Sequence, residues 1–175
     1  MIYTIQNEFL TVRVEDLGAQ LSSIQAPDGT EYLWQGDPDI WARRAPILFP
    51  FIARLRETAY CLDGQPYAIS THGFARDMVF SLVEQGEDHI SLQLTDTPET
   101  RKVYPFSFSL TVTYTLEGNR LKKCHRVENR SDKDMYYELG AHDGFRAPVE
   151  PGVPMSSWSI RLPGVERVQF YGMDE

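Results

Sequence analysis

Apolar and polar residues alternate along much of this chain with the two-residue period of a β-strand, not the 3.6-residue period of a helix. The clearest run is Phe106 to Leu116. There Phe106, Phe108, Leu110, Val112, Tyr114 and Leu116 are separated by Ser107, Ser109, Thr111, Thr113 and Thr115. Successive strand side chains point to opposite faces, so this spacing predicts one buried face and one polar face. Glu117-Gly118-Asn119 supplies turn chemistry, and Leu121 to Val127 is the expected hairpin partner. Ile90, Leu92 and Leu94 alternate likewise, as do Leu10, Val12 and Val14. Asp28-Gly29, Asp63-Gly64 and Gln85-Gly86-Glu87-Asp88 mark further turns.

No window of about a dozen residues carries a helical apolar stripe. Eleven prolines and twelve glycines interrupt the chain too often for long helices. The pattern therefore predicts an all-β protein of many short strands, as a sandwich or a barrel. With no repeat, low-complexity tract or linker to divide the 175 residues, 1–175 reads as a single domain.

Two stretches break the alternation. Residues 34–56, WQGDPDIWARRAPILFPFIARLR, carry two tryptophans and four arginines. So aromatic an irregular segment is either a loop packed over one end of the fold or a wall lining a ligand. In residues 138–148, ELGAHDGFRAP, an apolar strand gives way to a histidine beside glycine, phenylalanine and proline.

Charge narrows the partners. A formal net charge of −8 argues against nucleic acid or an anionic membrane, because phosphates repel such a surface. No apolar run approaches the roughly 18 residues of a spanning helix. The N-terminal MIYTIQNEFL lacks the basic and apolar regions of a secretory signal, so the cytoplasm is the expected compartment. Against the acidic background, residues 43–76 hold Arg43, Arg44, Arg54, Arg56 and Arg76, opposed only by Glu57 and Asp63. This is either a solvated patch or a pocket presenting guanidinium forks to hydroxyls, a carboxylate or a phosphate.

Cys61 and Cys124 form no CxxC and too small a set for zinc, and read as buried free thiols. Of the four histidines, His89 beside the Gly-Glu-Asp turn reads as solvated, and His125 in KKCHR as a strand surface residue. His72 in THGFAR and His142 in GAHDGF share a pattern. Each places its ring just after a strand, next to a glycine and an aromatic, which points to one shared site. There is no GxSxG elbow, no HxH or HxxxH pair and no glycine-rich phosphate loop, so a serine triad, a metal centre and a phosphate-cradling loop are not indicated. Two histidines with arginines and aromatic rings suit proton transfer on a polar substrate that stacks on rings, such as a sugar.

GAQLSSIQAPDGTEYLWQGDPDIWARRAPILFPFIARLR, THGFAR, VYPFSFSLTVTYTLEGNRL and ELGAHDGF occur in that order between Gly18 and Phe145. In series they resemble the aldose 1-epimerase (galactose mutarotase) family, especially its bacterial hexose-mutarotase-like branch. The resemblance implies a galactose-mutarotase-like β-supersandwich, here its N-terminal portion and incomplete at the C-terminus. It also implies interconversion of the α and β anomers of a hexose or hexose phosphate by acid/base ring opening, with no metal or organic cofactor needed. By position, Arg54 matches the arginine set against sugar hydroxyls. His72 matches the histidine that positions the substrate near the ring oxygen, and His142 the general acid that protonates that oxygen. Phe74, Arg76 and Phe145, from the same motifs, are candidate substrate-binding residues.

Two departures accompany the resemblance. Family members commonly have proline after the second histidine, where this chain has Asp143. Adjacent residues of an extended backbone point apart, so no contact between His142 and Asp143 is expected. The family's general-base glutamate lies in a C-terminal part with no counterpart here. The alternative to an isomerase is therefore a non-catalytic carbohydrate-binding protein, or an inactive fragment lacking its base. Strand edges left open in such a sandwich predict a homodimer or a complementing chain.

Overall fold

A computed structural model describes residues 1–150 and 152–169. The first sheet is a three-stranded antiparallel meander of β1 (Ile2–Gln6), β2 (Thr11–Glu15) and β3 (Leu21–Gln25). A two-residue ribbon strand, β4 (Ile47–Leu48), follows the irregular segment. The hairpin of β5 (Ala59–Leu62) and β6 (Gln65–Ala68) then turns through Asp63 and Gly64, both at positive φ.

The second sheet contains β7 (Ser81–Gln85), β8 (His89–Thr95), β9 (Phe108–Glu117) and β10 (Arg120–Asn129), in the order β10-β9-β8-β7. Between β8 and β9 lies the short helix α1 (Pro98–Val103). Its start is written locally: Thr97 accepts from the Thr100 amide at 3.2 Å, and Pro98 occupies the first turn. A last ribbon strand, β11 (Gly140–Ala141), pairs with β4.

The alternation seen in the sequence fixes the faces of β9. Phe108, Leu110, Val112, Tyr114 and Leu116 are buried, and they join Ile5, Val12, Val14 and Leu21 of the first sheet in one apolar cluster. Tyr114 satisfies its buried hydroxyl by donating to the Ala19 carbonyl at 2.8 Å, which ties the two sheets together. At the opposite edge β7 is exposed along its whole length, and the register shift between Leu82 and Glu84 interrupts its pairing.

Strand parity corrects two expectations. Cys124 lies on the outward phase of β10 with Lys122 and Arg126, and Cys61 lies on the outward side of β5. Both thiols are exposed, not buried. His125 falls on the other phase, with Leu121, Lys123 and Val127, so it is half-buried and not a surface residue. His89 keeps its solvated role, paired with Asp88 and Glu84, whose carboxylates raise its pKa. Among the described residues no helix is long and apolar enough to cross a membrane.

Candidate functional site

The two irregular stretches of the sequence pair with each other. Gly144 donates its amide to the Arg44 carbonyl at 2.8 Å, His142 to Pro46 at 3.1 Å, and Glu138 to Pro50 at 2.8 Å. Between these contacts, Gly140 and Ala141 register with Leu48 and Ile47. The ribbon advances two residues at a time on each strand, so His142 and Asp143 emerge on opposite sides. Asp143 reaches the Lys123 ammonium at 2.8 Å, while His142 presents an exposed ring on the other side. That is the separation expected of adjacent residues on an extended backbone.

THGFAR docks on the same ribbon from below. The amides of Phe74 and Ala75 both donate to the Phe49 carbonyl, at 3.0 and 3.2 Å. Gly73, at φ +71°, lies so close to that carbonyl that an added Cβ would collide with it. Glycine is therefore required here for both conformation and space. The preceding His72 is itself left-handed, at φ +67°, and faces Ala53 at φ +60°. These two residues clamp each other. His72 donates its amide to the Ala53 carbonyl at 2.8 Å, and the Ala53 amide donates to His72 Nδ1 at 2.9 Å.

An amide can only donate, so His72 Nδ1 must accept and the neutral ring carries its proton on Nε2. Burial lowers the His72 pKa first, and the nearby Arg76, His142 and Arg43 lower it further. Both influences favour the neutral ring that the backbone clamp requires.

The two histidine rings lie 6.2 Å apart between centroids, at an interplanar angle of 70°. Trp41 packs on the outer side of His142 at 4.9 Å. The tryptophan is itself held because its carbonyl accepts from the Trp34 indole at 2.7 Å. Ala53, Arg54, Thr71 and His72 line a cavity of about 350 Å³, with the Arg54 side chain exposed at its rim. Arg76 donates to the Thr71 carbonyl at 2.8 Å, and its Nε lies 3.5 Å from Asp77. Arg43 reaches the other oxygen of Asp77 at 2.8 Å.

The structure thus brings His72, His142, Arg54 and Arg76 to one corner and sends the two phenylalanines elsewhere. Phe74 turns into the core, where it meets Phe49 edge-on at 6.3 Å and lies 6.1 Å from Phe108. Phe145, 68% exposed, lies on the side of Asp143. It lines a separate cavity of about 430 Å³ with Leu21, Ile24, Tyr32, Leu121 and Lys123. That larger cavity contains neither site histidine and none of the arginines. The smaller one is the candidate site because His72 and Arg54 line it, with His142 beside His72 and Arg76 anchored on Thr71.

Three neighbours were not singled out from the sequence. Trp41 belonged to the aromatic segment already marked as a possible wall, and that composition was its signal. Ala53 had none, because its role is a backbone amide. Glu138 accepts from the Ile52 amide at 2.8 Å, so its carboxylate braces the loop that carries Ala53 and Arg54.

The model of the family described as aldose 1-epimerase matches residues 1–165. The chain is 37% identical over 172 residues to the chromosomal LacX protein of Lactococcus lactis subsp. lactis, covering 95% of this chain and 58% of LacX. It therefore spans less than two thirds of the length of the curated relatives it matches. A crystal structure of a galactose mutarotase related enzyme from Lactobacillus acidophilus superposes with a TM-score of 0.86 at 39% identity, over 88% of this chain and 52% of that one. A galactose mutarotase-like protein from Lactobacillus casei gives 0.81 at 36% identity, over 83% and 50%. The mostly β architecture, with one short α-helix among the described residues, matches these galactose-mutarotase-like structures.

Proposed function

Because the chain belongs to the aldose 1-epimerase family, we propose that its His72–His142 corner binds a hexose and interconverts the hexose's α and β anomers. The observation that carries this reading is the pair of imidazoles 6.2 Å apart beside a cavity rimmed by Arg54. In the reaction a base removes the proton of the C1 hydroxyl while the C1–O bond to the ring oxygen breaks. His142, protonated, gives its proton to that oxygen, and the open aldehyde forms. Rotation about C1–C2 and the reverse steps close the other anomer, with no net change in protons.

His72 suits a different role. With Nδ1 committed to the Ala53 amide, its Nε2–H can donate a hydrogen bond to a sugar oxygen but cannot take a proton. It therefore orients the substrate, and Arg54 offers its guanidinium to hydroxyls at the rim. No metal or organic cofactor enters these steps.

One observation favours a second reading. The carboxylate beside this loop, Glu138, accepts the Ile52 amide on Oε2 and braces the backbone there, which leaves only its other oxygen for a base at C1. A binding protein that holds the sugar without turning it over needs no base. Anomer exchange followed by NMR on glucose and galactose separates the two readings. Exchange above the uncatalysed rate, abolished by His142→Ala, is the expected outcome. Exchange at the background rate with saturation transfer to the sugar would replace catalysis by binding, and the absence of both would remove the sugar reading altogether.

A further inference from the structure

We propose that the larger cavity, on the far side of the ribbon from the histidines, binds the zwitterion of a small apolar α-amino acid. This second site goes beyond the hexose reading and does not depend on it. Its basis is an ion pair set into an otherwise mostly apolar cavity of about 430 Å³. Lys123 and Asp143 are the charged residues that line it, and they meet at 2.8 Å with side chains only 12% and 20% exposed. The Lys123 ammonium also sits over the Tyr114 ring, 5.9 Å from its centroid. Both charges are thus held in place before any ligand arrives.

The pair has bonding capacity to spare. One of the three ammonium protons goes to Asp143 Oδ1, and among the described residues the Oδ2 oxygen accepts no hydrogen bond. His125, the next residue of β10 on the same face, adds no charge. Burial lowers its pKa first and Lys123 lowers it further, against an opposite pull from Asp143, so the ring is neutral near pH 7. The cavity therefore offers one positive and one negative charge, and no net charge.

A ligand with a lone carboxylate or a lone ammonium would leave a net charge among apolar walls, which is costly. A head that carries both avoids this cost. Its carboxylate accepts from Lys123 while its ammonium donates to Asp143, and both hydrogen bonds are charge-assisted.

The walls call for an apolar body on that head. Leu21, Ile24 and Leu121 line the cavity, together with the exposed rings of Phe9, Tyr32 and Phe145. These rings stand on pinned segments. Asn7 Oδ1 accepts from the Phe9 and Leu10 amides, and its Nδ2 donates to the Gly118 carbonyl at 2.8 Å. The Arg146 amide donates to the Tyr32 carbonyl at 2.8 Å, beside the bridge between Leu33 and Phe145. Apolar walls around a few fixed polar groups are the usual make-up of a small-molecule site.

The test is a calorimetric titration of the full chain with L-phenylalanine, 3-phenylpropionate, phenethylamine and glucose. L-Phenylalanine should bind about tenfold or more tightly than either of the two analogues, each of which lacks one charge. Glucose should not displace it, because His72, His142 and Arg54 do not line this cavity. Removing one charge of the pair would strand the other, so both are removed together. Lys123→Gln combined with Asp143→Asn should weaken L-phenylalanine about tenfold. Phe145→Ala, at an exposed position, should weaken it several-fold and carries the test by itself if the double variant does not fold.

Failure of L-phenylalanine to bind, equal binding of either singly charged analogue, or displacement by glucose would overturn the proposal. So would an affinity unchanged in either folded variant. Anomer exchange is measured separately, so the hexose reading stands or falls on its own result.

Discussion

The β8–β9–β10 sheet and the ribbon that carries the histidines are built on opposite principles. In the sheet, each residue's face follows from its neighbours two positions away, and the strand pairing is continuous over ten residues between β9 and β10. In the ribbon, pairing between β4 and β11 lasts two residues. The rest of the ribbon is held by isolated amide–carbonyl contacts between segments almost a hundred residues apart. The ribbon also contains the non-glycine residues Ala53 and His72 at positive φ, a backbone region that L-residues rarely adopt. Regular pairing stores stability, whereas irregular pairing positions chemistry at the cost of backbone strain. The contrast predicts that mutations in the two regions will separate stability from binding.

The largest effect is expected in the sheet. Leu110→Ala empties a fully buried position of β9 and should destabilise the fold by about 2–5 kcal/mol in chemical denaturation. Sugar affinity of the folded fraction should be unchanged, and a loss of affinity in that fraction would show that the regions are coupled. Gly73→Ala attacks the ribbon. Its Cβ would meet the Phe49 carbonyl and its φ is +71°, so a cost of about 1–3 kcal/mol is expected. Unlike the sheet mutation, it should also abolish sugar binding, because His72 is the adjacent residue. Wild-type affinity in a destabilised Gly73→Ala protein would break the proposed link between this backbone and the site.

Tyr114→Phe removes the hydroxyl that joins the sheets at Ala19 and leaves a buried carbonyl unpaired. It should cost about 1–3 kcal/mol and leave the ribbon unaffected. The smallest effect sharpens the comparison within the ribbon itself. The pKa of His72 is lowered from 6.5, chiefly by burial, so the unfolded chain takes up its proton before the folded one does. The stabilising contribution of the neutral ring is therefore fully present above pH 6.5 and is lost as pH falls below that value. NMR titration of the imidazole should find His72 below 6.5 and His89, whose neighbouring carboxylates act in the opposite sense, above it. The reverse order would contradict the clamp by Ala53.

Much of the sheet was legible residue by residue. The run Phe106 to Leu116, the Glu117-Gly118-Asn119 turn and the returning strand correspond to β9 and β10, although the strand starts at Phe108. Parity could have taken the reading further. His125 shares its phase with Leu121 and Val127, and Cys124 shares its phase with Lys122 and Arg126, so their opposite exposures were written in the same alternation. The family motifs pointed to the candidate site because they place His72 and His142 in similar settings. The same motifs put Phe74 and Phe145 beside those histidines without saying which way their rings turn.

The sequence by itself determined the fold class, the principal strands and turns, and the residue types available for chemistry, because these depend on periodicity and composition over short windows. Only the tertiary structure decided which side of the ribbon each residue faces. It sent Phe74 into the core and Asp143 to Lys123, and it brought Ala53 to His72 Nδ1 to set the tautomer. It also gathered Arg43 and Arg76 on one carboxylate. Such contacts join segments from about twenty to about a hundred residues apart along the chain. Their outcome depends on backbone geometry at a few left-handed positions, which no local pattern of apolar and polar residues encodes.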